Sequence, residues 1–507
     1  MLLGIDVGTG GTRALVIDEN GGVLAAANED HAPFSSPQAG WAEQDPRDWW
    51  RACTHAIRSA LRRADIDSRQ VLSIGFSGQM HGAVLLDAHD EVVRPAIIWC
   101  DQRTEPQVRE LETIVGTDRL IQLTCNPPLT NFTLTKLLWV RENEPEKWRR
   151  VRHVMLPKDY VRFRLTGEQA IDMADASGTL LLDVANRRWS QEVLNKTGID
   201  ERVLPALSES SVVCGRVSAR GGEETGLITG TRVVAGAGDQ AAGAIGMGIV
   251  RPGMLSTTIG TSGVVFAATD AAMLDPRGRL HTFCHAVQER WHAMGVTQAA
   301  GLSLRWFRDN LGVKREGELT SGASYKDPYD ALCDEAATAP PGCNGLLWAP
   351  YLMGERTPHN DPNARAAFVG LSASHTRAHL IRAILEGVAF SLKDALGVIQ
   401  ELKIPAGRIR AGGGGARARL WRQIQADVYG RAVEIVAAEE GAAFGAAILA
   451  GVGAGNWQSV DEACAAVVRV TEEVQPDPQR AAILDRSYQR FRKIYPALRS
   501  LEDVPMR

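Results

Sequence analysis

Asp6 closes an apolar, strand-like run and is followed by Gly8-Thr9-Gly10-Gly11-Thr12-Arg13. Glycines between two strands allow a tight turn whose backbone N–H groups converge on phosphate oxygens, and Thr9 adds a hydroxyl. A carboxylate at the strand end can organise Mg²⁺ through water, because this cation keeps much of its hydration beside phosphates. The same residues also read as an ordinary hairpin with a solvent-facing Asp. A second carboxylate, Asp239, lies in Gly236-Ala237-Gly238-Asp239-Gln240-Ala241-Ala242-Gly243. Small neighbours leave room for a substrate, which suits a general base taking a hydroxyl proton. Phosphoryl transfer asks little of such a base, since positioning and charge neutralisation contribute more, so an ordinary carboxylate pKa of about 3.9 suffices. The competing reading makes Asp239 the cap of a helix that begins near Ala241.

Further segments mix glycine with polar groups. Gly412-Gly413-Gly414-Gly415-Ala416 follows a strand-like stretch and leads into a helix expected over 417–429. Unobstructed amides at a helix N-terminus suit phosphate or adenosine, although a flexible linker has the same composition. In Ser77-Gly78-Gln79-Met80-His81-Gly82, Gln79 and His81 can hydrogen-bond sugar hydroxyls while Met80 packs against a carbon chain. A structural histidine is the plainer reading. Trp99-Cys100-Asp101-Gln102-Arg103 either lines a sugar pocket or is a strand end with an Asp101–Arg103 ion pair, worth little if exposed. Neither G-x-x-x-x-G-K-[ST] nor a His-Arg-Asp kinase loop occurs, so those two phosphotransfer architectures are set aside.

Elements must hold these groups. The opening predicts an antiparallel meander over 2–7, 13–17 and 23–27, broken by Gly-rich turns. A helix is expected over 46–64, with Asp45 as cap, Pro46 at its first position, and Trp50, Cys53, Ile57 and Leu61 on one stripe. Strands are expected over 71–76, 83–86 and 96–99, then mainly helices to about residue 200. A second hairpin, over 255–259 and 264–267 around Gly260-Thr261-Ser262-Gly263, echoes the first and suggests two related domains. A long helix is expected over 376–402, carrying Leu380, Ile384, Val388 and Leu392 at i+4 spacing.

At 507 residues the chain exceeds what one core supports, which predicts two domains, 1–245 and 246–507, with a cleft between them. A net charge of −4 with interspersed signs lacks the basic stripe of a nucleic-acid binder, leaving a small-molecule partner. Eight scattered cysteines without C-x-x-C spacing predict free thiols. Residues 233–250 and 441–455 are Gly/Ala-rich, and one carries Asp239 while the other is short, so both are expected to be backbone packed closely around a ligand rather than membrane spans. The start lacks a secretory signal pattern, which predicts a cytoplasmic protein, and a homodimer is compatible with the composition.

Asp6-Val7-Gly8-Thr9, Gly238-Asp239-Gln240, Gly260-Thr261-Ser262-Gly263 and Gly412–Ala416, in this order, resemble the phosphate and adenosine motifs of the FGGY carbohydrate kinases, within the actin/Hsp70/hexokinase superfamily. Gly370-Leu371-Ser372, His375-Thr376-Arg377 and Glu386-Gly387-Val388-Ala389 resemble that family's C-terminal signature, so the likeness covers nearly the whole chain. The resemblance implies an α/β fold of two ribonuclease H-like domains flanking a catalytic cleft, with ATP and Mg²⁺ as cofactors. It implies Asp239 as general base and Asp6 as the metal-organising carboxylate. Gly8, Thr9, Gly10, Arg13, Gly260 and Thr261 fall at phosphate-side positions, and Gly301, Gly414 and Gly415 on the nucleotide side. Within the family, Ser77–Gly82, Trp99–Thr104 and Pro350–Pro358 most resemble the xylulokinase branch. That implies transfer of the ATP γ-phosphate to the 5-hydroxyl of D-xylulose, with Gln79, Met80, His81, Trp99, Asp101, Asp239 and Gln240 around the sugar. Glycerol kinases carry Arg-Glu where Met80-His81 stands, which disfavours glycerol. Arg419 stands where they have an adenine-contacting Asn, leaving base contact open. The rivals are another ketose or polyol, such as L-xylulose, ribulose or gluconate, and a nucleotide-dependent regulator on the same fold.

Overall fold

The computed structural model describes residues 1–311, 327–437 and 441–502. They fall into two compact α/β units that interleave along the chain. The first holds Met1–Arg251, Ala268–His292 and residues 441–469; the second holds Pro252–Ala267 and the described residues of 293–437 and 470–502. A single cut near residue 246 therefore does not describe the division, because a late helix returns to the first sheet.

That sheet has the order Val213–Arg216, Arg232–Val234, Ser73–Gly78, Leu2–Val7, Gly11–Ile17 and Val23–Asp30, with Ala237–Gly238 also paired to Ser73–Gly78. Leu2–Val7 runs antiparallel to Gly11–Ile17 and parallel to Ser73–Gly78. Side chains alternate across a strand, so one sheet serves two cores. Leu3, Ile5 and Val7 join Trp49, Cys53 and Ile57 on one face, while Leu2, Leu15 and Ile17 join Ala241, Ile245, Phe444 and Ile448 on the other. The helix Pro46–Ala64 forms as expected: the Asp45 side chain accepts from the Arg47 N–H, proline occupies the first turn, and Asp65 ends it in a left-handed conformation. Trp50, Cys53, Ile57 and Leu61 are all buried.

The helix Gly441–Ala454 lies on the second face in near backbone contact. A Cβ on Gly4 would fall 2.0 Å from the Ala443 carbonyl oxygen, one on Gly75 2.0 Å from that of Ala446, and one on Gly445 1.8 Å from that of Ala242. The Gly/Ala-rich run thus packs against strands and the helix Asp239–Gly246, rather than around a ligand. Phe444, Ile448 and Leu449 fill the flanks, each contributing about 1.5–3 kcal/mol by burial. Among the described residues no helix is long and apolar enough to cross a membrane, and all eight cysteines are free.

The second unit repeats the hairpin-and-parallel-neighbour design. Trp291–Thr297, Gly263–Thr269, Gly253–Ile259, Ala406–Gly413, Val433–Val436 and Val470–Val474 follow one another in its sheet. Gly253–Ile259 is antiparallel to Gly263–Thr269 and parallel to Ala406–Gly413, as Leu2–Val7 is to its two neighbours. The long helix Arg377–Glu401 starts at a Thr376–His379 capping box, and Trp421 Nε1 donates to the Leu385 carbonyl at 3.1 Å, tying the helix Arg419–Tyr429 to it. The glycine run does not enter that helix directly: a 3₁₀ turn, Gly414–Ala416, intervenes.

If the backbone contact is the constraint, one methyl group should disturb it. Gly75→Ala should lower unfolding free energy by about 1–3 kcal/mol in urea titrations, whereas Gly397→Ala, with open space at its Cβ inside a helix, should raise it by about 0.5–1 kcal/mol.

Candidate active site

Strand register explains how two distant carboxylates meet. Asp6 lies opposite Ser77 on the parallel side and opposite Arg13 on the antiparallel side. Ala237 and Gly238 pair with Ser77 and Gly78 across the other edge of Ser73–Gly78. Asp6 and Asp239 therefore stand at the carboxyl ends of strands flanking one central strand, where open α/β sheets gather ligands. Asp239 is the first residue of the helix Asp239–Gly246, and Gly238 is its cap, so the capping reading of Asp239 fails. Its Oδ1 accepts from Gln240 Nε2 at 3.2 Å.

The electrostatics are those of carboxylates short of counter-charge. Burial, and then the charge of Asp6, push Asp239 up to about 7, so an ordinary carboxylate pKa does not describe it. Burial also raises Asp6, while Ser77 and the Arg13 guanidinium act the other way. Among the described residues Asp6 Oδ1 is buried without a hydrogen-bond partner. Arg13, expected at a phosphate-side position, is placed beside Asp6 by the hairpin register.

The turn after Asp6 is braced from below. Gly8 N–H donates to the Gly11 carbonyl at 3.0 Å and His31 N–H to that of Gly10 at 3.0 Å. Gln44 Nε2 donates to the Thr9 carbonyl at 2.8 Å, and Gln79 Nε2 donates to Gln44 Oε1 at 3.0 Å. Trp99 Nε1 donates to Thr9 Oγ1 at 2.9 Å, and Gly10 has open space where a Cβ would be. Gln79 and Trp99, expected around the sugar, therefore brace the turn after Asp6. Gln44 is a positioning residue that no motif announced, since it stands in the short strand Glu43–Gln44 without a pattern around it.

Met80 packs beside Gly238, the neighbour of Asp239, and His81 beside Gly178. A Cβ on Gly238 would come within 2.8 Å of Met80 Cγ, and His81 Nδ1 donates to the Gly178 carbonyl at 2.7 Å. His81 has φ +67, a conformation that L side chains rarely adopt. Asp101 does not line a sugar site. It is fully buried and accepts from Ala42 N–H at 2.6 Å, Arg103 Nε at 3.0 Å and an Arg103 terminal nitrogen at 2.7 Å. The ion-pair reading of this segment holds, in the interior rather than at the surface. Also unannounced is a fully buried Lys158, paired with Asp159 at 2.6 Å, Asp172 at 2.5 Å and Asp175 at 3.2 Å. Asp175 Oδ1 lies 2.8 Å from where a Gly238 Cβ would stand.

The second unit assembles its own glycines. Gly301, at the start of the helix Gly301–Leu311, donates its N–H to the Gly260 carbonyl at 2.8 Å, and Leu302 N–H reaches that of Thr261 at 3.1 Å. A Cβ on Gly301 would fall 2.4 Å from the Gly260 oxygen, and one on Gly415 2.6 Å from Ile259 Cβ. Register places Gly413 opposite Ile259, so Gly260, Thr261, Gly301, Gly414 and Gly415 adjoin in this unit. Arg419 is the exposed first residue of its helix, and its base contact stays open.

Known proteins share these features. The profile of the FGGY family of carbohydrate kinases, N-terminal domain, matches residues 1–246, and that of the C-terminal domain matches 255–454. Xylulose kinase of Bacillus subtilis (strain 168) is 36% identical over 97% of this chain and 96% of its own. Xylulose kinase of Escherichia coli (strain K12) is 39% identical over 98% and 99%. The crystal structure of xylulose kinase from Rhodospirillum rubrum superposes with a TM-score of 0.89 at 32% identity, covering 99% of each chain.

The raised pKa of Asp239 has a consequence for stability. Its folded pKa exceeds its unfolded one, so the folded state holds a proton that the unfolded chain releases between about pH 4 and 7. The contribution is fully present at low pH and is lost as pH rises through 7. Asp239→Asn should therefore be more stable than wild type at pH 8, by roughly 4 kcal/mol, and equal to it near pH 4. Thermal melts at the two pH values check this.

Proposed function

We infer the reaction from the premise that this chain belongs to the FGGY family of carbohydrate kinases. It is an ATP-dependent sugar kinase, and its substrate is D-xylulose, phosphorylated to D-xylulose 5-phosphate. Full-length likeness to xylulose kinases supports the sugar. The single observation that carries the chemistry is Asp239, poised near neutral pH beside a second carboxylate. A base is most useful when its pKa lies near the working pH, where it is both ionised and a competent acceptor.

In this reading Asp239 takes the proton from the sugar 5-hydroxyl as that oxygen attacks the γ-phosphorus, and ADP leaves. The side chain of Gln240 keeps the carboxylate oriented, and Met80 with His81 shapes the sugar side. Backbone N–H groups of the Gly8–Gly11 and Gly260–Gly263 turns, which need no reorganisation during the reaction, hold phosphate oxygens. The residues present fit Mg²⁺. The orphaned, buried Asp6 oxygen supplies one anionic ligand position, direct or through water, and among the described residues no group of three or more His, Cys, Asp or Glu forms an all-protein cage. Mg²⁺ is characteristically bound by one or two carboxylates with water and substrate phosphates, and it would neutralise charge on the transferring phosphate.

Asp239→Asn should fold and bind sugar but lose kcat by roughly 10²–10⁴-fold; near-normal turnover would remove Asp239 from the base role. In the wild type kcat/KM should fall about tenfold per pH unit below 7. Comparing kcat/KM across D-xylulose, L-xylulose, ribulose and gluconate should favour D-xylulose, and ATP hydrolysis indifferent to all four sugars would support a regulator instead.

A further inference from the structure

We propose that Glu355 is a positioning residue for the nucleotide-phosphate turn Gly260–Gly263, acting through Gln298 and the start of the helix Gly301–Leu311. The inference rests on the assignment of that turn to ATP in the reading above. Glu355 is 2% exposed and lies in Gly354-Glu355-Arg356-Thr357, a segment that touches neither Asp6 nor Asp239 in any contact described above.

Its carboxylate is fully engaged. Oε1 accepts from the Gln298 N–H at 2.9 Å and the Arg356 N–H at 2.8 Å, and Oε2 accepts from Ser391 Oγ at 3.1 Å. The backbone of Glu355 is pinned in turn, its N–H donating to the Asp361 carbonyl and its carbonyl accepting from Asp361 N–H, both at 2.8 Å. Two residues on, Thr357 N–H donates to the Val296 carbonyl at 2.9 Å, and Thr357 Oγ1 accepts from Val296 N–H at 3.0 Å. The segment therefore grips the chain at 296 and again at 298, as it leaves the strand Trp291–Thr297 for the helix.

From that grip the path to the phosphate turn is short. A Cβ on Gly263 would fall 2.5 Å from Thr297 Oγ1, and Gly301 N–H is hydrogen-bonded to the Gly260 carbonyl. Gly301 and Leu302 can meet Gly260 and Thr261 only if the chain at 298–300 holds its height against the turn, and the one side chain that fixes Gln298 N–H is Glu355. A buried carboxylate is a costly choice for a purely structural clamp, since burial pushes this one up to about 8 and removing its partners leaves polar groups unsatisfied. Its three bonds fix the Gln298 and Arg356 amides and the Ser391 hydroxyl together, which suits a turn that must present amides to phosphate without reorganising.

The test uses the full-length enzyme with ATP, Mg²⁺ and D-xylulose. Glu355→Ala should raise the ATP KM about tenfold, one lost buried hydrogen bond's worth, while the D-xylulose KM stays within about twofold. Glu355→Gln keeps the Oε1 acceptor and can donate to Ser391 Oγ, so it should restore the ATP KM to within about threefold of wild type. Glu386→Ala, which removes another buried carboxylate of the same unit, bonded to Arg382 at 2.8 Å, should lower the melting temperature without moving the ATP KM. If Glu355→Ala yields no soluble protein, Thr357→Val carries the test with an ATP KM raised about threefold. An unchanged ATP KM in the variant tested, or equal rises for ATP and D-xylulose, overturns the proposal. Wild-type protein that fails to phosphorylate D-xylulose would instead overturn the substrate assignment.

Discussion

The backbone contact between the helix Gly441–Ala454 and the strands Leu2–Val7 and Ser73–Gly78 is the constraint on which the first unit depends. Two carbonyl oxygens of the helix occupy the positions that Cβ atoms of Gly4 and Gly75 would take. Gly445 brings the same helix against Ala242, inside the helix that begins with Asp239. The sheet, the returning helix and the Asp239 helix are thereby locked at distances with no slack for a methyl group. Interiors packed this closely do not deform gradually, so the carboxyl ends of the strands keep a defined separation. The close pairing of Asp6 with Asp239 follows from that separation.

Charge is handled differently at different places in this unit. Lys158 pairs with Asp159, Asp172 and Asp175, of which burial still raises the last two, and Asp101 is satisfied by Arg103 and a backbone amide. At the strand ends, among the described residues, Arg13 on the far side of Asp6 is the cationic group that acts on this pair. A buried charge is expensive unless paired, and the two carboxylates bear that cost together as raised pKa values. Cationic charge brought beside the pair would relieve that cost.

The second unit uses the same hairpin for a different end. Its turn is preceded not by a carboxylate but by Thr258-Ile259, and glycines let Gly301 and Gly415 close on Gly260 and Ile259. A buried glutamate holds the chain behind them. One hairpin-and-parallel-strand design thus yields an acid-bearing strand end in one unit and an amide-bearing one in the other.

Local rules written into the sequence determined the hairpins, the Asp45-capped helix and the long helix after Thr376, whereas Asp6 and Asp239 were singled out by the order of motifs along the chain. Each of those elements depends on neighbours within a few residues: turn glycines, a cap, a stripe at i+4 spacing. Composition also determined that the cysteines are free. Tertiary structure alone decided what the polar residues of the motifs face. Asp101 went to Arg103, Gln79 and Trp99 went to the turn after Asp6, and the Gly/Ala-rich run went to the sheet instead of a ligand. The pKa of Asp239 was equally out of reach of the sequence, because desolvation and the field of Asp6 exist only once strands far apart in the chain lie side by side. A side chain's type is local, but its partner, burial and charge state belong to whatever the fold brings within a few ångströms of it.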